Sequence, residues 1–168
     1  MTSLIFFYLT FLKFFGIIYI ENKKGVIIIR LWHQSLIPYL DRQRLLGAHR
    51  ECCALRGMGW GKKHATVDYV FKYATERLVA YHYLIMDEMK HRGYNPDETW
   101  YKVNWRGKIL GEQQDWADYN LVLDIYGASR IYPEHNDDYL KECIDNLRDK
   151  GVDVSEMEGL INNVQDIG

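Results

Sequence analysis

The sequence predicts an all-α fold: a compact helical domain over residues 30–111, an acidic helical extension over 112–168 and an apolar leader over 1–29. Three observations predict it. Apolar residues recur at i, i+3, i+4 spacing over 41–56 and 64–92. Gly93 and Gly151 stand where helices would stop, the first with Pro96 just beyond. The chain of 168 residues is long enough for one hydrophobic core and too short for two ordinary ones.

Residues 1–29 take eighteen of their members from Phe, Ile, Lys, Asn and Tyr, the set that AT-rich untranslated DNA would encode. Within them an apolar run of about seventeen residues, interrupted by Lys13, lies at the short limit for crossing a bilayer. No basic n-region or small-residue cleavage site marks a secretory signal. A start assigned too early, a membrane anchor and a packed hydrophobic arm all remain open for this segment.

From Asp41 to Arg56 the pattern is helical, with Leu45, Leu46, His49, Cys52 and Cys53 on an expected core face and Gln43, Arg44, Gly47, Arg50 and Glu51 on an expected polar face. Gly47 costs a helix about 1 kcal/mol relative to Ala, which close approach to its backbone or relief of a helix contact would explain. The stretch GMGWGKKH that follows must be a loop; Lys62, Lys63 and backbone N–H groups could meet phosphates there, with Trp60 free to stack or wedge, or the loop could simply connect two helices. Val67, Val70, Phe71, Ala74, Leu78, Tyr81 and Ile85 then define a long scaffold helix over 64–92. In TWYKVNWRGK, residues 99–108, rings alternate with cations, a pattern that suits a nucleic-acid surface and equally an ordinary packed loop. Short helices are expected at 113–126 and 137–150, the latter with Leu140, Cys143, Ile144 and Leu147 as its apolar stripe. A last helix should begin at Ser155, with Glu158 completing a capping box. No internal repeat or low-complexity linker interrupts the chain.

The net charge of −2 hides an asymmetry. Residues 30–108 hold fourteen Lys/Arg against eight Asp/Glu, whereas residues 112–168 hold four against fourteen. A polyanion-binding surface on the basic body and two differing solvated faces explain this equally well. Cys52, Cys53 and Cys143 form no CxxC pair and are expected reduced and buried, as in a cytoplasmic protein. The six histidines show no ligand spacing such as HExxH, so no metal site is expected.

LIPYLDRQRLLGAHRE, residues 36–51, resembles the early helix of the phage-type pyrimidine-dimer DNA glycosylases, the endonuclease V that incises cyclobutane dimers. Leu36, Leu40, Gln43, Arg50 and Glu51 match that family's spacing without a gap. A looser similarity runs through His64 and Thr66 to RGYN at 92–95 and to TWYK with its following GK. The resemblance covers roughly residues 29–108 and is greatest to the family's cellular members that begin in the manner of MRLWH.

The resemblance implies a duplex-DNA partner, a DNA-facing surface rich in loops, no small-molecule cofactor, and a monomer without membrane contact. It implies a glycosylase with abasic-site lyase activity whose nucleophile is the chain's own α-amino nitrogen, here at Arg30, where the family has Thr. An α-amine has a pKa of about 7.7–8, against about 10.4 for Lys, so part of it is unprotonated at neutral pH. Glu51 would be the catalytic carboxylate. Arg50, Gln43, Arg44, Arg56, Lys62, Lys63 and His64 are the expected DNA contacts. Two departures stand out: Arg30 replaces the Thr, and Ala54 occupies a further arginine's place, with Arg56 nearby. A protein of this fold that binds nucleic acid without the chemistry, and a membrane-tethered interaction protein, are the other functions the sequence permits.

Overall fold

The computed structural model describes residues 18–21, 27–61 and 69–165. The Lys62–Lys63–His64 part of the basic loop and the first seventeen residues of the leader lie outside them. Ahead of the helical body a two-stranded antiparallel hairpin pairs β1 (Ile18–Glu21) with β2 (Ile27–Arg30), Ile18 opposite Arg30. No helix among the described residues is long and apolar enough to cross a membrane.

The body is all-α. After a 3-10 turn at Gln34–Tyr39 comes α1 (Arg42–Arg56), where the Asp41 carboxylate accepts from the Arg44 amide at 2.8 Å and caps the helix start. The long helix expected from residue 64 is shorter than its periodicity. Residues Val70–Lys72 form a 3-10 turn, Tyr73 and Ala74 are extended, and α2 runs over Thr75–His91. The apolar spacing continues across that break because the 3-10 turn also buries Val70 on the same core. Gly93, at φ +77°, ends α2 by donating to Lys90 O while Tyr94 N reaches Met89 O.

The acidic segment folds as α3 (Tyr119–Tyr126), α4 (Asp137–Asp149) and α5 (Ser155–Gln165). α3 starts six residues later than expected, at the Asp118 side chain that accepts from Leu121 N. On α4 the predicted stripe of Leu140, Cys143, Ile144 and Leu147 is buried. The capping box at Ser155 does not form. Asp153 accepts from both the Ser155 amide and hydroxyl, and Glu158 pairs instead with Arg148.

These helices are bound into the rest of the molecule. α3 packs along α2, and Ala117, Val122, Ile131, Tyr132, Tyr139 and Met157 share one apolar cluster with Leu31, Leu45 and Ile85. Among the residues whose burial is described, every buried core side chain lies between Leu31 and Met157.

Candidate active site

On α1 the buried residues are Leu45, Gly47, Ala48, Cys52, Leu55 and Arg56. The core stripe is therefore turned about a quarter of the circumference from the expected one, toward Ala48 and Leu55 and away from Leu46, His49 and Cys53, which are only half-buried. That rotation decides the environment of Glu51. At about 100° per residue, Glu51 stands about 40° from Gly47 on one side and about 40° from Leu55 on the other, and both are buried. The expectation of a solvated polar face holds for Gln43 and Arg50, which are exposed, and fails for Glu51.

The Glu51 carboxyl is sunk among protein atoms, and desolvation pushes its pKa up to about 8. At pH 7 the group is mainly the neutral acid, able to give a proton. Its charge, when present, is felt by the hydroxyls of Tyr69 and Tyr81. Tyr69 also reaches the Leu31 backbone, and the Tyr81 hydroxyl donates to Trp32 O at 2.7 Å. Glu51 and the segment that follows Arg30 thus share two tyrosine neighbours. Arg30 itself closes β2.

The other expected DNA contacts divide. Gln43 and Arg50, seven residues apart, share an exposed side of α1 next to Glu51. Arg44 pairs with Asp41 on its own helix. Arg56 is a correction: it is fully buried, and its guanidinium donates to Trp100 O at 2.7 Å, Lys102 O at 2.7 Å and Trp105 O at 3.1 Å, with Val103 O at 3.3 Å. It holds the 100–105 loop and meets no phosphate. Trp60 is likewise committed, its ring edge-on to Phe71 and to Trp116. The aromatic-basic run at 99–108 is a packed loop: Trp100 lies against Arg56 and His82, Tyr101 donates to Asp87 at 2.7 Å, and Arg106 donates to Arg56 O and Gly57 O. Of its cations Lys102 and Lys108 are exposed, and Lys102 is paired with Glu112.

One cluster escaped the sequence because 33 residues separate its parts. His49, Cys53 and His82 bring their ligand atoms within 4.8 Å of one another, the Cys53 sulfur 3.7 Å from His49 Nε2 and 3.9 Å from His82 Nε2. Those edges suit a tetrahedral zinc. The hydrogen bonding does not. Guanidinium nitrogens only donate, so Arg56 Nη1, 3.2 Å from His82 Nδ1, requires that nitrogen to accept. Neutral His82 then carries its proton on Nε2 and donates to His49 Nδ1 at 2.8 Å, which in turn leaves the His49 Nε2 proton facing Cys53. Burial lowers the pKa of both histidines and keeps them neutral. A metal on His82 Nε2 would need a proton on Nδ1, directly against the guanidinium. The cluster is a partly buried polar chain linking α1 to α2, with metal-like spacing and the wrong tautomer.

With this geometry in place, comparison with known families adds one finding: residues 29–102 match the family model described as pyrimidine dimer DNA glycosylase. That segment, under half of the 168-residue chain, is similar to the pyrimidine dimer DNA glycosylase family. The match begins one residue before Arg30, takes in Glu51 and the Tyr69–Tyr81 neighbourhood, and stops inside the packed 100–105 loop. No curated protein and no solved structure matches the chain.

Proposed function

We propose that the protein is a DNA-repair glycosylase with associated abasic-site lyase activity, acting in the cytoplasm on dimerised pyrimidines in duplex DNA. The nucleophile is the α-amino nitrogen of a form whose chain begins at residue 29 or 30. Its lone pair forms a bond to C1′ of the sugar as the glycosidic bond breaks; the electron pair of the broken bond leaves with the pyrimidine, which takes the proton the nitrogen sheds. The sugar ring oxygen then departs as the C1′–N iminium forms, taking a proton. Loss of a C2′ proton expels the 3′ phosphate, and water releases the amine.

The observation that carries the reading is Glu51, a carboxyl raised to about 8 by burial that shares Tyr69 and Tyr81 as neighbours with the segment that follows Arg30. A protonated Glu51 can deliver the proton that the ring oxygen needs, and the carboxylate it becomes can stabilise the cationic sugar and accept the C2′ proton. Arg50 and Gln43, exposed next to it, would hold the backbone of a bent duplex with an extruded nucleotide. Lys62, Lys63 and His64 belong to the same proposed contact surface. Arg30 in place of Thr leaves the amine unaffected, since the α-nitrogen carries the reaction.

The test is borohydride trapping on abasic and dimer-containing duplex, with the full chain and with a chain beginning at residue 29. The shorter chain should give a covalent adduct that Glu51→Gln abolishes, and the full chain should give none. No adduct from the shorter chain at low salt would refute the enzyme. Arg30 at the family's Thr position favours a second reading, a DNA-binding protein of the same fold without the chemistry. It predicts salt-sensitive duplex binding, weakened by Arg50→Ala, with no strand cleavage.

A further inference from the structure

The acidic extension, residues 112–168, lies wholly outside the matched family segment, yet it grips the residues next to the proposed nucleophile. Four consecutive residues are held. Leu31 O accepts from the Tyr139 hydroxyl at 2.5 Å, and Trp32 O accepts from Tyr81 at 2.7 Å. His33 accepts from the Ser35 amide through Nδ1, which places its proton on Nε2 for donation to His135 O at 3.0 Å. The Gln34 amide donates to Ser129 O at 2.9 Å and accepts from Ile131 N at 2.7 Å. Of these partners Ser35 and Tyr81 belong to the matched segment; the rest come from 129–139, on α4 and the loop before it.

The grip is rigid because its holders are themselves packed. Tyr139 and His135 are buried, their rings 5.5 Å apart, and the Tyr69 hydroxyl lies 3.2 Å from His135 Nε2. Tyr69 also touches the Leu31 backbone and feels Glu51. Leu31 and Trp32 are buried under the same layer. A chain start one or two residues upstream of Leu31 would otherwise fray as a free terminus does.

We propose that the acidic extension is part of the repair site: Tyr139 and Gln34, with His135, fix the backbone of residues 31–34 and so present the terminal amine to Glu51. This rests on the glycosylase reading above. The residues named are positioning residues, since none of them touches the sugar. A displacement of about 1 Å at a reacting atom can cost a hundredfold in rate. Fixing the segment adjoining the nucleophile is therefore where a helical extension could act on the chemistry without meeting DNA.

The experiment uses Tyr139→Phe and Gln34→Ala, each in the chain beginning at residue 29, with Ile144→Val as a core control on α4. Single-turnover trapping rate and abasic-duplex Kd are measured together. The expected result is a rate at least about 10-fold lower for both variants, a Kd unchanged within about twofold, and a normal rate for Ile144→Val. Amide hydrogen exchange at residues 31–33 of the full chain should quicken in Tyr139→Phe and not in Ile144→Val. Rates within twofold of the parent, in an active parent, would overturn the positioning role and leave the glycosylase reading standing. An equal loss in Ile144→Val would reduce the effect to stability and overturn it too. A parent that never traps refutes the glycosylase reading itself, and the extension's catalytic purpose with it.

Discussion

Glu51→Gln should stabilise the protein, and by an amount that depends on pH. The wild-type carboxyl ionises near its ordinary value of 4.5 in the unfolded chain and at about 8 when folded. Because the folded value is raised, the unfolded state releases its proton first as pH climbs. Stability is therefore lost progressively between about pH 4.5 and pH 8 and is constant above. The rise from 4.5 to about 8 corresponds to about 4–5 kcal/mol in full; because the residue keeps some solvent contact, the loss between pH 5 and pH 8.5 is about 2–4 kcal/mol. Gln has no charge to desolvate, so it escapes this loss. Urea unfolding of the wild type and Glu51→Gln at pH 5, 7 and 8.5 isolates the effect, because every other titrating group cancels in the difference. The two should be nearly equal at pH 5, with the variant ahead by about 2–4 kcal/mol at pH 8.5. A difference that does not change with pH would show that the Glu51 carboxyl is solvated, and its place as a resting-state acid would go with that result.

Arg56→Ala should cost about 3–5 kcal/mol, since it strips the buried carbonyls of the 100–105 loop and His82 Nδ1 of their donor. Arg56→Lys should recover little of it, because one ammonium cannot reproduce the guanidinium fork; chemical denaturation checks both. Adding Co²⁺ should give no thiolate charge-transfer band from Cys53 and Zn²⁺ no rise in Tm, because Arg56 fixes His82 in the non-ligating tautomer. A saturable band at one equivalent would contradict that assignment. Deleting residues 112–168 should abolish cooperative unfolding by exposing the apolar surface that Val122, Ile131, Tyr132 and Tyr139 cover, as circular dichroism on heating would show.

What the sequence revealed follows from how local each signal was. The helical stretch starting near Asp41, Gly93 ending α2 and the Leu140–Leu147 stripe on α4 depend on neighbours within a turn or two, and all appear in the fold. The break at Tyr73–Ala74 was hidden because Val70 keeps helical spacing while packing from a 3-10 turn. Arg56 read as a surface cation because its carbonyl partners lie 44 to 49 residues away. For Glu51, the residue type and position were legible and its environment was not. Counting apolar side chains put the core stripe through Leu46, His49 and Cys53, and only the packed structure, which buries Gly47 and a charged Arg56, turns that stripe onto the glutamate. The extension's hold on residues 31–34 left no trace in the sequence, since its hydrogen bonds span 95 to 108 residues.

The site of covalent attachment tests the central claim most directly. The borohydride-reduced adduct with abasic duplex, made from the chain beginning at residue 29, would be digested and its modified peptide sequenced by mass spectrometry. The sugar is predicted on the α-nitrogen of the first peptide, with Lys62 and Lys63 unmodified. Attachment to either lysine, or to no residue in a sample that binds DNA, would contradict the account.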